Sequence, residues 1–231
     1  YGHCSGANFS GQNLSGLNLT GIDFSNADLT LTNLSYTDLS CANLSGSKLF
    51  KGWDNFSYWR IGANFRFANL TNADLTNVDL AFADLEYANL TGVDLTTLGS
   101  ERPAYEIHAT SLRGCPIQLP NGWQCLNNNL VGQNADLTGA DFSNTNLTNI
   151  DFNLTLLNGA NFTGANLANG SFKYANLTGT IFYGANLSGA NLSRANLSGA
   201  DLSGANLSGV NSSNLILANA DLSYANLQET N

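Results

Sequence analysis

Cys115 and Cys125 bracket the phrase Cys115-Pro116-Ile117-Gln118-Leu119-Pro120-Asn121-Gly122-Trp123-Gln124-Cys125. Two prolines and a glycine narrow the conformations of this short loop, so the spacing reads as a disulfide, worth about 3 kcal/mol by loop entropy. A bridge of that kind belongs to an oxidising compartment. Two other readings stand beside it. The thiols could be reduced and packed under Trp123, or they could join His108 in a zinc site, although the paired Cys-x-x-Cys spacing of such sites is missing. His108 with Glu106 and Glu101 is the one grouping that resembles an acid–base cluster, and a solvated loop explains it equally well. The only other histidine is His3. The sequence contains no phosphate loop, dinucleotide fingerprint or calcium loop. Its many Ser and Thr hydroxyls follow a repeat and do not gather into a site. The chain therefore reads as a non-enzyme with no cofactor or metal.

A second chemistry is written into the triplets Asn-x-Ser and Asn-x-Thr, most of them with Leu in the middle, which make about eighteen glycosylation-type sequons. They include Asn8, Asn43, Asn69, Asn89, Asn146, Asn186 and Asn196. The repeat produces these triplets with no selection for sugar. If the chain passed through a glycosylating route, outward asparagines would coat it densely, which makes glycans a candidate partner. Asp alternates freely with Asn in the same slot, an exchange that an acidic catalyst would not tolerate and a hydrogen-bonding side chain would.

Composition narrows the classes further. A net charge of −9 with only 8 Lys and Arg disfavours nucleic-acid binding, which needs clustered cations to neutralise phosphates. The uncharged stretches are crowded with Ser, Asn and Gly, and none approaches the roughly 20 apolar residues of a spanning helix, so no membrane insertion is expected. The chain opens at Tyr1 and has no methionine. A removed signal peptide is one explanation and an artificial start is another.

These residues must be positioned by an unusual element, because Leu or Phe recurs every fifth residue. From Leu137 to Leu227 the pattern holds one phase for about 19 units, with soft spots at Lys173 and Ser212. Earlier blocks run from Phe9 to Leu49 and from Phe65 to Leu95, and the phase between them slips by one residue near 50–62. A period of five fits neither a helix nor a strand. A turn repeated every five residues does fit, since Gly, Asn, Asp, Ser and Thr fill the other slots. Such a chain winds into a coil, with the centre Leu or Phe and the Ala two places before it pointing inward.

The units Ala190-Asn191-Leu192-Ser193, Ala195-Asn196-Leu197-Ser198-Gly199 and Ala200-Asp201-Leu202-Ser203-Gly204 resemble the pentapeptide-repeat family. The resemblance implies an all-β fold, a right-handed quadrilateral β-helix with about 20 residues per square coil and coils stacked about 4.8 Å apart. Nine or ten coils would make a rod on the order of 45 Å long. The expected organisation is N-terminal coils over 1–98, a non-repeat insert over 99–134 that interrupts the solenoid, and C-terminal coils over 135–231.

The twenty-residue coil assigns positions. Phe142, Phe162 and Phe182 should form one interior column, and Phe152 and Phe172 the opposite one. Ser212 continues the second column as a hydroxyl bonded to backbone or as a distortion. Arg66 and Glu86 share an outward slot and should pair, while Phe67, Tyr87 and Phe82 form an exposed aromatic group that the insert should cover. Cys4 falls in a centre slot and Cys41 in an outward one, so the two should not pair within one ordered rod.

Both ends of the sequence lie inside the repeat. Around Cys4, Phe9 and Leu14, and again around Leu217, Leu222 and Leu227, a coil face should show strand-edge groups and apolar centres. The leading reading is a structural protein outside the cell that stacks head to tail on itself into filaments. A second reading is a regulator that binds a protein partner, such as a DNA-mimicking topoisomerase inhibitor. The dense acidic stripes and C-terminal helix that this resemblance would imply are missing here. A third is a binder of ice or carbohydrate through flat arrays of Ser, Thr and Asn.

Overall fold

The computed structural model describes residues 2–34, 36–49, 63–76, 78, 80–97, 107–132 and 134–231. They fall into two compact units, Tyr1–Asn128 and Asn129–Asn231. The expected phase slip at 50–62 lies outside the described residues.

In the second unit each five-residue repeat makes one turn. The Ala140 N–H donates to the Leu137 carbonyl at 3.0 Å, closing a four-residue turn. Its third residue, Gly139, has φ 70°, the left-handed value a type II turn requires there. Between turns, the chain pairs with the coil that follows. The Leu137 N–H donates to the Leu156 carbonyl at 2.7 Å, and the Leu156 N–H donates back to the Ala135 carbonyl at 3.1 Å. Parallel bridges join Asp136 to Leu156, Asp141 to Asn161, Asn146 to Asn166 and Asp151 to Ser171, and so on to Asn206 with Asn226. A twenty-residue offset at every bridge means four units per coil, one on each side of a square. The unit is a right-handed quadrilateral β-helix, and no helix occurs among the described residues.

The interior follows from that register. Phe142, Phe152, Phe162, Phe172 and Phe182 are all fully buried, as are Leu157, Leu167, Leu177, Leu187, Leu192 and Leu197. Each such side chain contributes roughly 1.5–3 kcal/mol when buried. Alanines occupy the second inward slot because little room remains beside the centre residues; Ala135, Ala140 and Ala160 are wholly buried. Threonine enters this slot only with its hydroxyl bonded to backbone: Thr155 donates to the Phe152 carbonyl at 2.6 Å and Thr180 to the Leu157 carbonyl at 2.9 Å.

The first unit is built the same way. Bridges run from His3 to Asp23 and from Asn8 to Asp28, each twenty residues apart. They then run from Asp38 to Asn64, Asn43 to Asn69 and Lys48 to Asp74 across the segment at 50–62, and from Asn64 to Asp84 beyond it. The insert, although its sequence lacks the repeat, continues the stack over its first described part. His108 bridges to Asp84, Gly114 to Asn89 and Gln118 to Asp94, while Ile107, Ala109 and Leu112 are buried. The coil tolerates this departure because its ladder uses backbone groups, and an apolar residue facing inward on each side satisfies the core. The insert ends in a hairpin of β1 (Gln124–Leu126) and β2 (Asn129–Val131). Its two-residue turn, Asn127 and Asn128, has positive φ at both positions, the preference of a type I′ hairpin. The division between the units falls in this turn.

Candidate functional site

The outer surface is ordered wherever Asn or Asp stands just before a centre residue. The Oδ1 of that Asn or Asp accepts the backbone N–H two residues on: Asn8 from Ser10 at 2.8 Å, Asn146 from Thr148 at 3.3 Å and Asn196 from Ser198 at 3.0 Å. These are Asx turns, in which Asn and Asp serve alike, and that is why the two exchange in this slot. The sequon residues Asn43, Asn69 and Asn89 make the same cap to Ser45, Thr71 and Thr91, and Asn186 to Ser188.

The amide nitrogens add a second layer of order. Nδ2 of Asn166 donates to Asn146 Oδ1 at 3.4 Å, and the ladder climbs through Asn186, Asn206 and Asn226 at 3.0, 3.2 and 3.1 Å. In the first unit Asn43 donates to Asp23 at 3.1 Å and Asn69 to Asn43 at 3.2 Å. Nδ2 is the atom to which a glycan would be joined, so at Asn43, Asn69 and Asn186 a sugar would compete with a rung of this ladder.

Where the capping residue is Asp, the same bonds stabilise the carboxylate. The Ser40 hydroxyl at 2.6 Å, followed by its backbone N–H at 3.0 Å, holds Asp38 below the ordinary carboxylate range despite the opposing effect of burial. Thr96 does the same for Asp94, hydroxyl first at 2.7 Å and backbone N–H at 2.8 Å. Asp23, Asp28 and Asp221 are lowered likewise by the hydroxyl and then the N–H of Ser25, Thr30 and Ser223. These shifts have structural causes.

The residues singled out for chemistry are placed as follows. Cys115 and Cys125 are joined by a disulfide, with their Cα atoms 6.2 Å apart. Cys4 and Cys41 are free thiols, the first half-buried and the second exposed. His108 Nε2 lies 3.1 Å from the Thr110 hydroxyl, and Glu101 and Glu106 lie outside the described residues. Among the described residues, no three His, Cys, Asp or Glu side chains come together in a way that could hold a metal ion. Among those residues no helix is long and apolar enough to cross a membrane. Arg66 pairs with Glu86 and with Asp84, the latter at 3.3 Å. Phe67 and Tyr87 stack at 4.7 Å, and the insert contributes Arg113, whose guanidinium lies 5.4 Å from the Phe67 ring centre. Phe82 stays 40% exposed.

Among the described residues, the centre residues at 4–14 and at 215–227 are less covered than those of the coils next to them. Leu197, Leu202 and Leu207 are buried beneath the coil that follows them, but Leu217 and Leu227, one coil on, are 37% and 51% exposed. With Leu215 and Leu222 they line an apolar hollow of about 230 Å³. The Ser212 hydroxyl donates to the Asn231 carbonyl at its rim. In the first coil Cys4, Phe9 and Leu14 are only half-buried, whereas Phe24, Leu29 and Leu34, one coil later, are covered. Phe9 packs edge-on against Phe24 at 5.1 Å.

A profile of pentapeptide repeats matches eight copies within residues 3–49, 61–96 and 135–231. The chain belongs to the pentapeptide-repeat family. Among solved structures, this pentapeptide-repeat protein is similar to HetL from the cyanobacterium Nostoc sp., at 27% identity over 99% of this chain and 86% of that one, with a TM-score of 0.37. It is also similar to Rfr23 from the cyanobacterium Cyanothece, at 38% identity over 41% of this chain and 62% of that one, TM-score 0.37. A third is a pentapeptide-repeat protein of the Arabidopsis thaliana thylakoid lumen, at 39% identity over 42% and 60%, TM-score 0.25. The aligned part spans about three-fifths of each of the last two. Comparison with curated protein sequences gave no match.

Proposed function

We propose that this pentapeptide-repeat protein is a non-enzymatic scaffold that stacks on further copies of itself through its coil faces. The observation that carries the proposal is the ladder itself: successive coils of residues 135–231 offer one another the same row of backbone N–H and carbonyl groups around the same apolar centres, so a coil of one copy fits a coil of another. A coil face of this kind is specific for another coil. It offers the N–H groups of Leu217, Leu222 and Leu227, and inside the chain the equivalent N–H groups of Leu197, Leu202 and Leu207 donate to Ile216, Asp221 and Asn226. The face formed by Asn8, Asn13 and Asn18 presents the backbone that Asp28, Asn33 and Asp38 use for such a ladder one coil on. Joining unlike faces satisfies both sets of groups, buries several Leu side chains, and leaves a free face for the next copy.

The polar flanks fit such a scaffold, because many of their amides and hydroxyls are committed to caps and ladders. The Cys115–Cys125 disulfide supports action in an oxidising compartment outside the cytosol. In a glycosylating secretory route the outward asparagines would add glycans to the display, and intact mass measured on the secreted protein tests that part.

Negative-stain imaging tests the assembly. The expected result is particles joined end to end into filaments. Discrete particles with two-fold symmetry would contradict it and favour a protein-binding regulator, of which a topoisomerase mimic is one kind.

A further inference from the structure

Within residues 129–231 the third residue of each turn forms four columns that run from coil to coil along the corners of the square. At every corner from 139 to 209 in three of these columns the residue is Gly or Asn, the types that take positive φ at least cost. The fourth column carries Leu154, Tyr174 and Arg194, at φ 61°, 60° and 61°. The turn itself does not call for these side chains, since Asn214 makes the same turn one coil later with φ 56°. Bulky residues take this region also at Tyr224 and, in the other unit, at Leu31, Tyr36, Phe67, Phe82 and Tyr87, so the angle alone marks no surface; what sets this column apart is that it carries a leucine, a tyrosine and an arginine on successive coils, beside the one other cation of the unit.

The side chains of this column form one strip. Leu154 and Tyr174 are 48% and 52% exposed, and Arg194 and Lys173 are exposed beside them. The Arg194 guanidinium lies over the Tyr174 ring at 5.4 Å, and its Nη1 donates to the Tyr174 hydroxyl at 3.1 Å. Asn153 Oδ1 accepts both the Lys173 N–H and the Ser171 hydroxyl, each at 2.7 Å, which fixes the backbone between Leu154 and Tyr174. Lys173 and Arg194 are also the only cationic side chains between 129 and 231, a stretch that carries Asp136, Asp141, Asp151, Asp201, Asp221 and Glu229. Neither cation forms an ion pair among the described residues.

We propose that this column is a docking surface for an acidic protein segment that also carries apolar side chains. The guanidinium and ammonium take the partner's carboxylates, Arg194 through paired N–H donors. The Tyr174 ring and Leu154 take its apolar groups, in the aromatic–arginine combination that dominates protein interfaces. The unit's six carboxylates, with no other cation among them, disfavour an acidic segment elsewhere on its surface. The site lies on the flank of the coil and stands or falls independently of end-on stacking.

The test uses the whole chain and a fluorescein-labelled twelve-residue peptide of Glu, Ser and Leu, followed by anisotropy. The expected result is saturable binding that weakens about tenfold or more in K173E/R194E and weakens again as salt screens the charges. Tyr174→Asn should also weaken binding while its melting temperature holds or rises, a combination that a purely structural role for Tyr174 would not produce. A matching peptide of Lys, Ser and Leu should not bind. Absence of saturable binding would overturn the proposal, as would binding indifferent to these variants or equal binding of the basic peptide. Recruitment of the chain to anionic vesicles without peptide binding would also overturn it, since the patch would then serve a membrane surface.

Discussion

Phe162 and Phe182 lie ring on ring, their centroids 5.1 Å apart and their planes 6° from parallel, although twenty residues separate them. Phe142 stands on the other side of Phe162 at 5.1 Å and 9°. This column fixes the register of the second unit, because a one-residue slip would turn all three rings outward. Phe162→Ala should therefore cost about 3–5 kcal/mol through lost contacts and a cavity held open by its neighbours. Phe162→Leu, which leaves a smaller void, should cost less than Phe162→Ala. Denaturant melts of the two variants check this, and an unchanged midpoint for Phe162→Ala would contradict the register.

The corner strain carries a prediction of the opposite sign. Leu154 has φ 61° and is 48% exposed, so Leu154→Gly should stabilise the fold by about 1 kcal/mol, less whatever flexibility glycine adds to the unfolded chain. A rise in melting temperature supports this assignment. A clear fall would show that the exposed leucine stabilises the coil through contacts that outweigh its backbone cost.

The centre column was legible because a single repeated letter, Leu or Phe every fifth residue, places Phe142, Phe162 and Phe182 once the coil length is known. The corner column was harder to see. Leu154, Tyr174 and Arg194 look like ordinary outward residues until they are aligned with Gly139, Gly159 and Gly179 as the third residue of a turn. The signal was present two places after each centre residue, but its meaning depends on a backbone angle. Residues 107–118 were not legible as part of a coil, because Ile107, Ala109 and Leu112 keep the inward burial without the five-residue spacing. The Asn146 to Asn226 ladder also escaped sequence reading, since an amide column needs the coil register as well as the residue type.

The acid dependence follows from the capped aspartates. Asp38, Asp94, Asp23, Asp28 and Asp221 are all held below their ordinary range by Ser or Thr donors. A folded-state pKa below the unfolded one, about 3.9, contributes stability that is present above the unfolded value and lost as the pH falls through the folded one. The melting temperature should stay level from neutral pH down to about pH 5 and fall below about pH 4. Asp38→Asn keeps the accepting oxygen and removes the ionisation, so it should make the acid limb less steep. A melting temperature that rises on acidification would contradict the assignment.

Thiol counting separates the disulfide from the free cysteines. The unfolded, unreduced chain should titrate two thiols, Cys4 and Cys41, and reduction should raise the number to four. Reduction should loosen the loop between 115 and 125 and leave the coils of 135–231 melting as before, since their ladder does not involve either sulfur. Loss of the coils on reduction would mean that the bridge supports more than its own loop.

The central claim, that coil faces join copy to copy, is tested most directly by sedimentation velocity over a wide concentration range, run in parallel on the unaltered chain and on L222K/L227K. The unaltered chain should sediment faster as concentration rises, with a ladder of species that does not stop at a dimer, because unlike faces leave a free end at every step. The double variant places two ammonium groups in the apolar hollow, so it should remain a single small species at all concentrations while keeping its melting temperature within a few degrees. A stable monomer for the unaltered chain at high concentration would contradict the claim, as would a ladder that survives both substitutions.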